Sequence, residues 1–166
     1  MSSIPIADPD IGPEEHRRVR EVLESGRLAD GPTVRSFEAA FADFCGVDHG
    51  VATSNGTTAL ETAIRALGLG EGDTVVTSPF SFVASANAVQ LAGASVAFAD
   101  IDPETYNLDP EAVAAVVADR EVDAILAVHL YGLPAPMDRL REIADEHDCL
   151  LIEDAAQAHG AAIDGR

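Results

Sequence analysis

The chain has 166 residues, of which 47% are hydrophobic and 23% are charged, as in a globular protein rather than a disordered one. It carries 29 acidic and 10 basic side chains, which gives a net charge of −19. This balance argues against nucleic-acid binding through a basic patch and against attraction to an anionic membrane. No apolar run approaches the roughly 20 residues of a membrane span, and no signal peptide opens the chain, so we expect a cytoplasmic protein.

All ten basic residues are Arg, and the sequence contains no Lys. A strongly acidic, Lys-free surface indicates adaptation to a salt-rich cytoplasm, where dense carboxylates keep a protein hydrated. An ordinary acidic bacterial protein is the alternative. Cys45 and Cys149 lack the spacing of a metal or redox motif, and we expect both to be buried.

The first 46 residues predict an irregular arm and two helices. The arm spans residues 4–11. Pro13 starts the first helix, Gly26 ends it, and Gly46 ends the second. The apolar residues expected on the buried faces of the two helices are Val19, Val22, Leu23, Val34, Phe37, Phe41 and Phe44.

From residue 50 onward, short apolar runs alternate with helical segments. Strands separated by helices of about ten residues indicate parallel crossover connections, so the predicted fold is α/β, with three layers and a mostly parallel sheet. Ligands bind at the carboxyl ends of the strands in such a sheet. No helix follows the last strand, so we expect an incomplete domain. The predicted strands are residues 50–53, 74–77, 95–99, 124–129 and 149–153, and the predicted helices are residues 57–67, 81–92, 110–117 and 137–147.

A small polar segment, residues 53–58, follows the first predicted strand and runs into a helix. Gly56 allows a tight turn and a close approach of the backbone to a ligand. The amides at the helix start, with the hydroxyls of Thr57 and Thr58, favour an anion such as a phosphate. The alternative is an ordinary helix cap. The segment lacks the glycines of a dinucleotide loop and the Lys of a P-loop.

Further candidates follow the other strands. Phe82 is placed where it could stack on a planar ring, although from this segment alone we favour a core aromatic. His129 closes a strand, and we favour a hydrogen-bonded structural histidine over a catalytic one. Asp154 ends an apolar strand, where a carboxylate needs a cation or several hydrogen-bond donors as partners. A protonated ring nitrogen of a ligand would be such a partner. The alternative is that Asp154 caps the turn that follows. We do not expect a metal site from Asp154, His159 and His129, because nothing in their spacing requires one.

Together these segments resemble the DegT-type sugar aminotransferases, which are fold-type I enzymes that use pyridoxal phosphate. The resemblance runs from Ile4 to the last residues. Each segment is common by itself, whereas their order and spacing are specific. The resemblance implies that residues 1–166 form the amino-terminal part of the cofactor-binding large domain, without the rest of that domain and the small C-terminal domain. The segments that carry the resemblance are residues 25–32, 54–60, 77–88, 128–132 and 153–160.

The family implies a role for residues at two helix starts. Gly56 and Thr57, with Thr58 nearby, correspond to the site that binds the phosphate of pyridoxal phosphate. Phe82 corresponds to the aromatic residue that stacks on the pyridine ring.

The family also implies roles for two residues after the last strand. Asp154 corresponds to the partner of the pyridine nitrogen, whose proton makes the ring an electron sink. Gln157 corresponds to the hydrogen-bond partner of the ring hydroxyl. The resemblance gives no chemical role to His129 or His159.

Enzymes of this family need a Lys that binds the cofactor covalently and moves the substrate proton. The family places it a few tens of residues after the Asp154 segment, beyond Arg166, so we expect this chain to be inactive alone. The complete enzyme is expected to transfer an amino group, usually from glutamate, to a keto sugar attached to a nucleotide, and to be a homodimer. Two alternatives are a sugar dehydratase of the same fold, with His in place of the Lys, and a non-catalytic vestigial α/β fragment.

Overall fold

The computed structural model describes residues 8–163 and Gly165. The chain divides into two compact units, residues 1–52 and 53–166. Half of the predicted arm, residues 4–7, lies outside the described residues, and the other half, residues 8–11, has no helix or strand. None of the helices in the described part of the chain is long and apolar enough to cross a membrane.

Two helices form the first unit; the first begins and ends where the sequence predicts, and the second ends at the predicted Gly46. Helix α1 spans Pro13–Ser25 and helix α2 spans Pro32–Cys45. Proline occupies the first position of each helix, where its missing N–H would have no acceptor within the helix. Gly26 and Gly46 end the helices at a φ of 70°, in the left-handed region that favours glycine.

Four of the seven residues predicted on the buried faces of these helices are exposed, so the prediction is wrong for those four, whereas Val22, Val34 and Phe41 are partly buried. Val19 and Leu23 on α1 are 60% and 62% exposed, and Phe37 and Phe44 on α2 are 55% and 62% exposed. The ring of Phe41 lies between the two, with centroid distances of 5.7 and 6.3 Å to Phe37 and Phe44. A helix buries its apolar stripe only against another element, and two short helices do not enclose a core.

The cysteines also depart from the prediction that both are buried. Cys45 is exposed, because it is the last residue of α2 and follows Phe44 on an uncovered helix end. Cys149 is partly buried, and this burial raises the pKa of its thiol. Both cysteines are free thiols.

Residues 50–53 form no strand, contrary to the prediction. Val51 is 78% exposed, and the sheet of the described residues contains no strand from this segment. The Ala52 N–H donates instead to Glu38 Oε1 at 2.9 Å. That hydrogen bond, assisted by the Arg35 guanidinium, lowers the pKa of the Glu38 carboxyl. An apolar run becomes a strand only where a neighbouring strand satisfies its backbone groups.

Gly50 packs so closely against α2 that we expect Gly50→Ala to destabilise the first unit. An added Cβ would lie 2.8 Å from the backbone oxygen of Glu38, so helix backbone would have to move. The free energy of unfolding should fall by about 1–3 kcal/mol, as measured by urea unfolding followed by circular dichroism. Gly70→Ala is the control, since its Cβ would meet the Ala92 oxygen at an ordinary 3.7 Å. Equal losses in both variants would contradict the prediction.

Four parallel strands form the sheet of the second unit, which confirms the predicted α/β class. The strand order is β2-β1-β3-β4. A single 3-10 turn, Leu130–Gly132, follows β3. The strands are β1 (Thr74–Thr77), β2 (Ser95–Phe98), β3 (Ala124–Val128) and β4 (Leu150–Asp154), and the helices are α3 (Gly56–Ala66), α4 (Ala84–Ala92), α5 (Pro110–Asp119) and α6 (Met137–Glu146).

Helices cover both faces of this sheet, as the three-layer prediction requires. Alternate residues of each strand point to opposite faces. On one face, Val75 and Ile152 pack with α3 and α4; on the other, Val76 packs with α5 and α6. The alternation continues to the end of β4, where Asp154 contacts α4 and Glu153 contacts the residue that follows β3.

Candidate functional site

The carboxyl ends of the parallel strands bring polar residues to one edge of the sheet. Ser78 follows β1, His129 follows β3 and Asp154 ends β4. The register pairs Val128 with Asp154, and the His129 N–H donates to the Asp154 carbonyl oxygen at 3.1 Å. This is the edge at which ligands bind in open parallel sheets.

The Asp154 carboxylate is partly buried and accepts two hydrogen bonds. Ser85 Oγ donates to Oδ2 at 3.2 Å, and the Ala156 N–H donates to Oδ1 at 3.2 Å. Ser85 is 1% exposed, and its Oγ also lies 3.0 Å from Ser81 Oγ. A carboxylate offers about four acceptor positions, so the two bonds leave room for a further donor. The carboxylate therefore caps its own turn, as the alternative predicts, and can still bind a ligand.

Sequence reasoning missed Ser85. It lies on the buried face of α4 together with Ala88 and Val89. A hydroxyl on an otherwise apolar helix face needs a hydrogen-bond partner, which is the signal that could have identified it.

Phe82 and Gln157 line one open pocket of about 330 Å³. Phe82 is 71% exposed, so the core aromatic that we favoured from its segment alone is wrong. Helix α4 begins at Ala84, later than the predicted residue 81, and this leaves Phe82 in the preceding loop with an accessible ring face. The pocket is lined by Pro79, Phe80, Ser81, Phe82, Leu130, Tyr131 and Gln157.

The side chain of Gln157 is oriented by the main chain of Tyr131. The Tyr131 N–H donates to Gln157 Oε1 at 2.6 Å. A backbone N–H only donates, so the atom facing it must be the amide oxygen, and the NH₂ group of Gln157 remains as a donor. Gln157 thus lines the same pocket as Phe82, the candidate for ring stacking, and its NH₂ group is free to donate a hydrogen bond to a ligand.

Helix α3 starts at Gly56, within the predicted phosphate segment. Asn55 caps it, since Asn55 Oδ1 accepts the Thr58 N–H at 2.9 Å and lies 3.2 Å from Thr58 Oγ1. The cap alternative is therefore confirmed. Among the described residues, the N–H groups of Gly56 and Thr57 have no acceptor, so they stay available to an anion.

The expectation that Gly56 permits a tight turn is wrong. Its φ is outside the left-handed region, because Gly56 is already the first helical residue, and an added Cβ would meet no atom within 4 Å. Close approach of a ligand is the remaining reason for a glycine there. The described contacts do not join Gly56, Thr57 or Thr58 to the pocket of Phe82 and Gln157, although α3 packs against α4.

His129 is a hydrogen-bonded structural histidine, as favoured from the sequence. It is 6% exposed, and its Nδ1 accepts the Ala135 N–H at 2.9 Å. In the neutral ring Nε2 therefore carries the hydrogen, and it donates to Glu153 Oε2 at 2.9 Å. His159 is exposed. Within the described part of the chain, no group of His, Cys, Asp and Glu side chains is arranged to hold a metal ion.

The model of the DegT/DnrJ/EryC1/StrS aminotransferase family matches residues 9–166. GDP-perosamine synthase of Caulobacter vibrioides is 42% identical to this chain over 100% of the chain and 46% of the relative. The dTDP-3-amino-3,4,6-trideoxy-alpha-D-glucose transaminase of Streptomyces venezuelae is 43% identical over 95% of the chain and 41% of the relative. The chain thus spans less than half the length of these relatives.

Solved structures share the fold. The structure of S. venezuelae DesV in complex with a ketimine intermediate has a TM-score of 0.87 and 44% identity, over 92% of this chain and 41% of that one. The structure of NtdA from Bacillus subtilis with bound cofactor PMP has a TM-score of 0.84 and 35% identity, over 90% of this chain and 34% of that one. Both likenesses agree with the predicted fold-type I class.

Proposed function

This chain belongs to the DegT/DnrJ/EryC1/StrS aminotransferase family, and we propose that it provides the cofactor-binding residues of a sugar aminotransferase that uses pyridoxal phosphate. The reaction proposed for the complete enzyme is transfer of an amino group from glutamate to the keto group of a nucleotide-linked sugar. The transaminase from S. venezuelae, whose name specifies a dTDP-linked amino sugar, supports this substrate class. We further propose that the complete enzyme is a cytoplasmic homodimer.

Asp154 at the carboxyl end of β4 carries this proposal. The family uses pyridoxal phosphate, which, when bound, supplies an electron sink for bond breaking at the substrate carbon. That property depends on a proton at the pyridine nitrogen, and a carboxylate facing the nitrogen keeps the proton there. Ser85 and Ala156 hold the Asp154 carboxylate in a fixed orientation, so it needs little rearrangement to accept such a donor.

The residues beside Asp154 suit the remaining parts of the cofactor. The accessible ring of Phe82 offers a flat apolar surface to one face of a pyridine ring and excludes water from that face. The NH₂ group of Gln157 can donate to the ring hydroxyl oxygen. The open N–H groups of Gly56 and Thr57, with the hydroxyl of Thr57, suit a phosphate at the positive end of α3, whereas the Thr58 hydroxyl already donates to Asn55 Oδ1.

The residue that binds the cofactor covalently is not among these 166 residues, because they include no Lys. The chain covers 41% to 46% of the curated relatives above. We propose that the rest of such a protein supplies this residue, which also moves the substrate proton. For the present chain the proposal therefore concerns binding and orientation of the cofactor rather than turnover.

Binding of pyridoxamine phosphate (PMP) tests the proposal, since this amine form needs no Lys. We expect the chain to quench PMP fluorescence with a dissociation constant below about 1 mM. Asp154→Asn should weaken binding about tenfold, because a charge-assisted hydrogen bond to the ring nitrogen is lost. Asp145→Asn, an identical change at an exposed position on α6, is the matched control. Absence of saturable binding, or equal weakening by both variants, would overturn the proposal.

A further inference from the structure

Asn107 is a buried amide that holds the loop after β3. It is 2% exposed, and it makes three hydrogen bonds to main-chain atoms of that loop. Its Oδ1 accepts the Leu130 N–H at 3.0 Å, and its Nδ2 donates to the carbonyl oxygens of Leu133 at 3.0 Å and Pro134 at 3.2 Å. One N–H and two carbonyls face the amide, so they also fix which end is oxygen and which is nitrogen.

The loop held by Asn107 has a conformation that does not persist without support. Tyr131 lies at its centre with a φ of 53°, in the left-handed region that a bulky residue rarely adopts. Such strain is retained only where the surroundings fix the backbone. His129 Nδ1 provides a second attachment, through the Ala135 N–H at the far end of the loop. This strained residue is the one whose N–H donates to Gln157 Oε1.

We propose that Asn107 is a positioning residue for the cofactor site. It fixes residues 130–134 so that the Tyr131 N–H occupies Gln157 Oε1, which leaves the NH₂ group of Gln157 as the part of the amide that faces a ligand. The ligand chemistry this selects is a hydrogen-bond acceptor, such as the phenolic oxygen of a pyridine cofactor. The identity of that ligand rests on the proposed function, whereas the chain of hydrogen bonds from Asn107 to Gln157 does not.

The orientation of the Gln157 amide matters because its two ends have opposite chemistry. With Tyr131 in place, rotation of the amide would set its NH₂ group against a backbone N–H, two donors face to face. Without the loop constraint, either end of the amide can face the pocket. A carbonyl oxygen turned toward a ligand acceptor repels it, so the bound state loses a hydrogen bond and gains an unfavourable contact.

A double-mutant cycle on PMP binding separates positioning from simple stabilisation. Gln157→Glu keeps an acceptor for the Tyr131 N–H but has no N–H to donate, and we expect it to weaken PMP binding about tenfold. Asn107→Ala should weaken binding by about fivefold in the native background and by less than about twofold in the Gln157→Glu background. Asn87→Ala, at an exposed position on α4, is the control, and it should leave the PMP affinity unchanged in both the native and the Gln157→Glu backgrounds. Additive losses for Asn107→Ala and Gln157→Glu would overturn the proposal.

Amide hydrogen exchange tests the same inference without a ligand. The Tyr131 amide of the unaltered chain should exchange slowly, and Asn107→Ala should accelerate its exchange about tenfold relative to the Leu126 amide in β3. If Asn107→Ala does not fold, Asn107→Asp replaces it in the measurement. This variant keeps the shape of the side chain but loses the two N–H donors that bind the Leu133 and Pro134 carbonyl oxygens. Exchange of Tyr131 at the rate of an unprotected amide in the unaltered chain, or an unchanged relative rate in the variants, would overturn the inference. Failure of PMP to bind while exchange behaves as expected would refute the proposed function and leave the positioning role standing.

Discussion

Asp154→Ala is expected to lower kcat by about 100- to 1,000-fold in a full-length family enzyme that contains this chain. The carboxylate is the group proposed to keep the proton on the cofactor ring nitrogen, and no other carboxylate contacts Ser85 in the described residues. The fold should survive, because Ser85 Oγ keeps Ser81 Oγ as a partner at 3.0 Å. Steady-state kinetics with thermal melts followed by circular dichroism would measure both quantities.

Two further variants distinguish the charge of Asp154 from its shape. Asp154→Asn keeps the volume and an acceptor for Ser85 but not the negative charge, so its kcat should fall nearly as far as that of the Ala variant. Asp145→Asn makes the same change at an exposed site on α6 and should leave kcat within about twofold. Turnover of Asp154→Asn within a few-fold of the parent enzyme would mean that the carboxylate does not serve the ring nitrogen.

The strands of the second unit could be predicted because each has a partner inside that unit. Strand β1 lies at the predicted residues 74–77, and β4 is shifted by one residue from the predicted 149–153. Both faces of β3 are buried, so its continuous apolar sequence was a sufficient signal. Residues 50–53 have a similar sequence but no paired strand in the described residues. Pairing is a property of two distant segments, which local apolar character does not reveal.

The candidate site shows the same division between local and distant signals. Asp154 and Gly56 could be selected because a strand end and a helix start are visible in the local sequence pattern. Ser85 and Asn107 could not, because their roles depend on partners far along the chain. Ser85 contacts a carboxylate 69 residues later, and Asn107 contacts main-chain atoms 23 to 27 residues later. Ser85 lies among apolar residues of a helix, which indicates a buried hydrogen bond but not its destination, whereas Asn107 lies in a polar segment and has no local signal of burial.

Gly56→Ala is expected to weaken PMP binding about tenfold without destabilising the protein. The free chain should tolerate the change, because the added Cβ meets no atom within 4 Å and alanine favours a helix over glycine by about 1 kcal/mol. A phosphate bound to the N–H groups of Gly56 and Thr57 would approach the backbone where the Cβ would project. Pyridoxamine, which lacks the phosphate, should bind equally to the parent chain and to the variant. Fluorescence titration with both ligands would measure the difference.

Gly68→Ala is the matched control, and we expect it to lower stability without lowering PMP affinity. Its Cβ would also meet no atom within 4 Å, but Gly68 has a φ of 85°, so alanine there is strained. We expect its free energy of unfolding to fall by about 1 kcal/mol while its PMP affinity stays that of the parent. The two variants should therefore show opposite effects. Gly56→Ala should lose PMP affinity and keep its stability, and Gly68→Ala should lose stability and keep its PMP affinity. Equal loss of PMP affinity in both variants, or equal loss of PMP and pyridoxamine affinity in Gly56→Ala, would show that the phosphate does not bind at the start of α3.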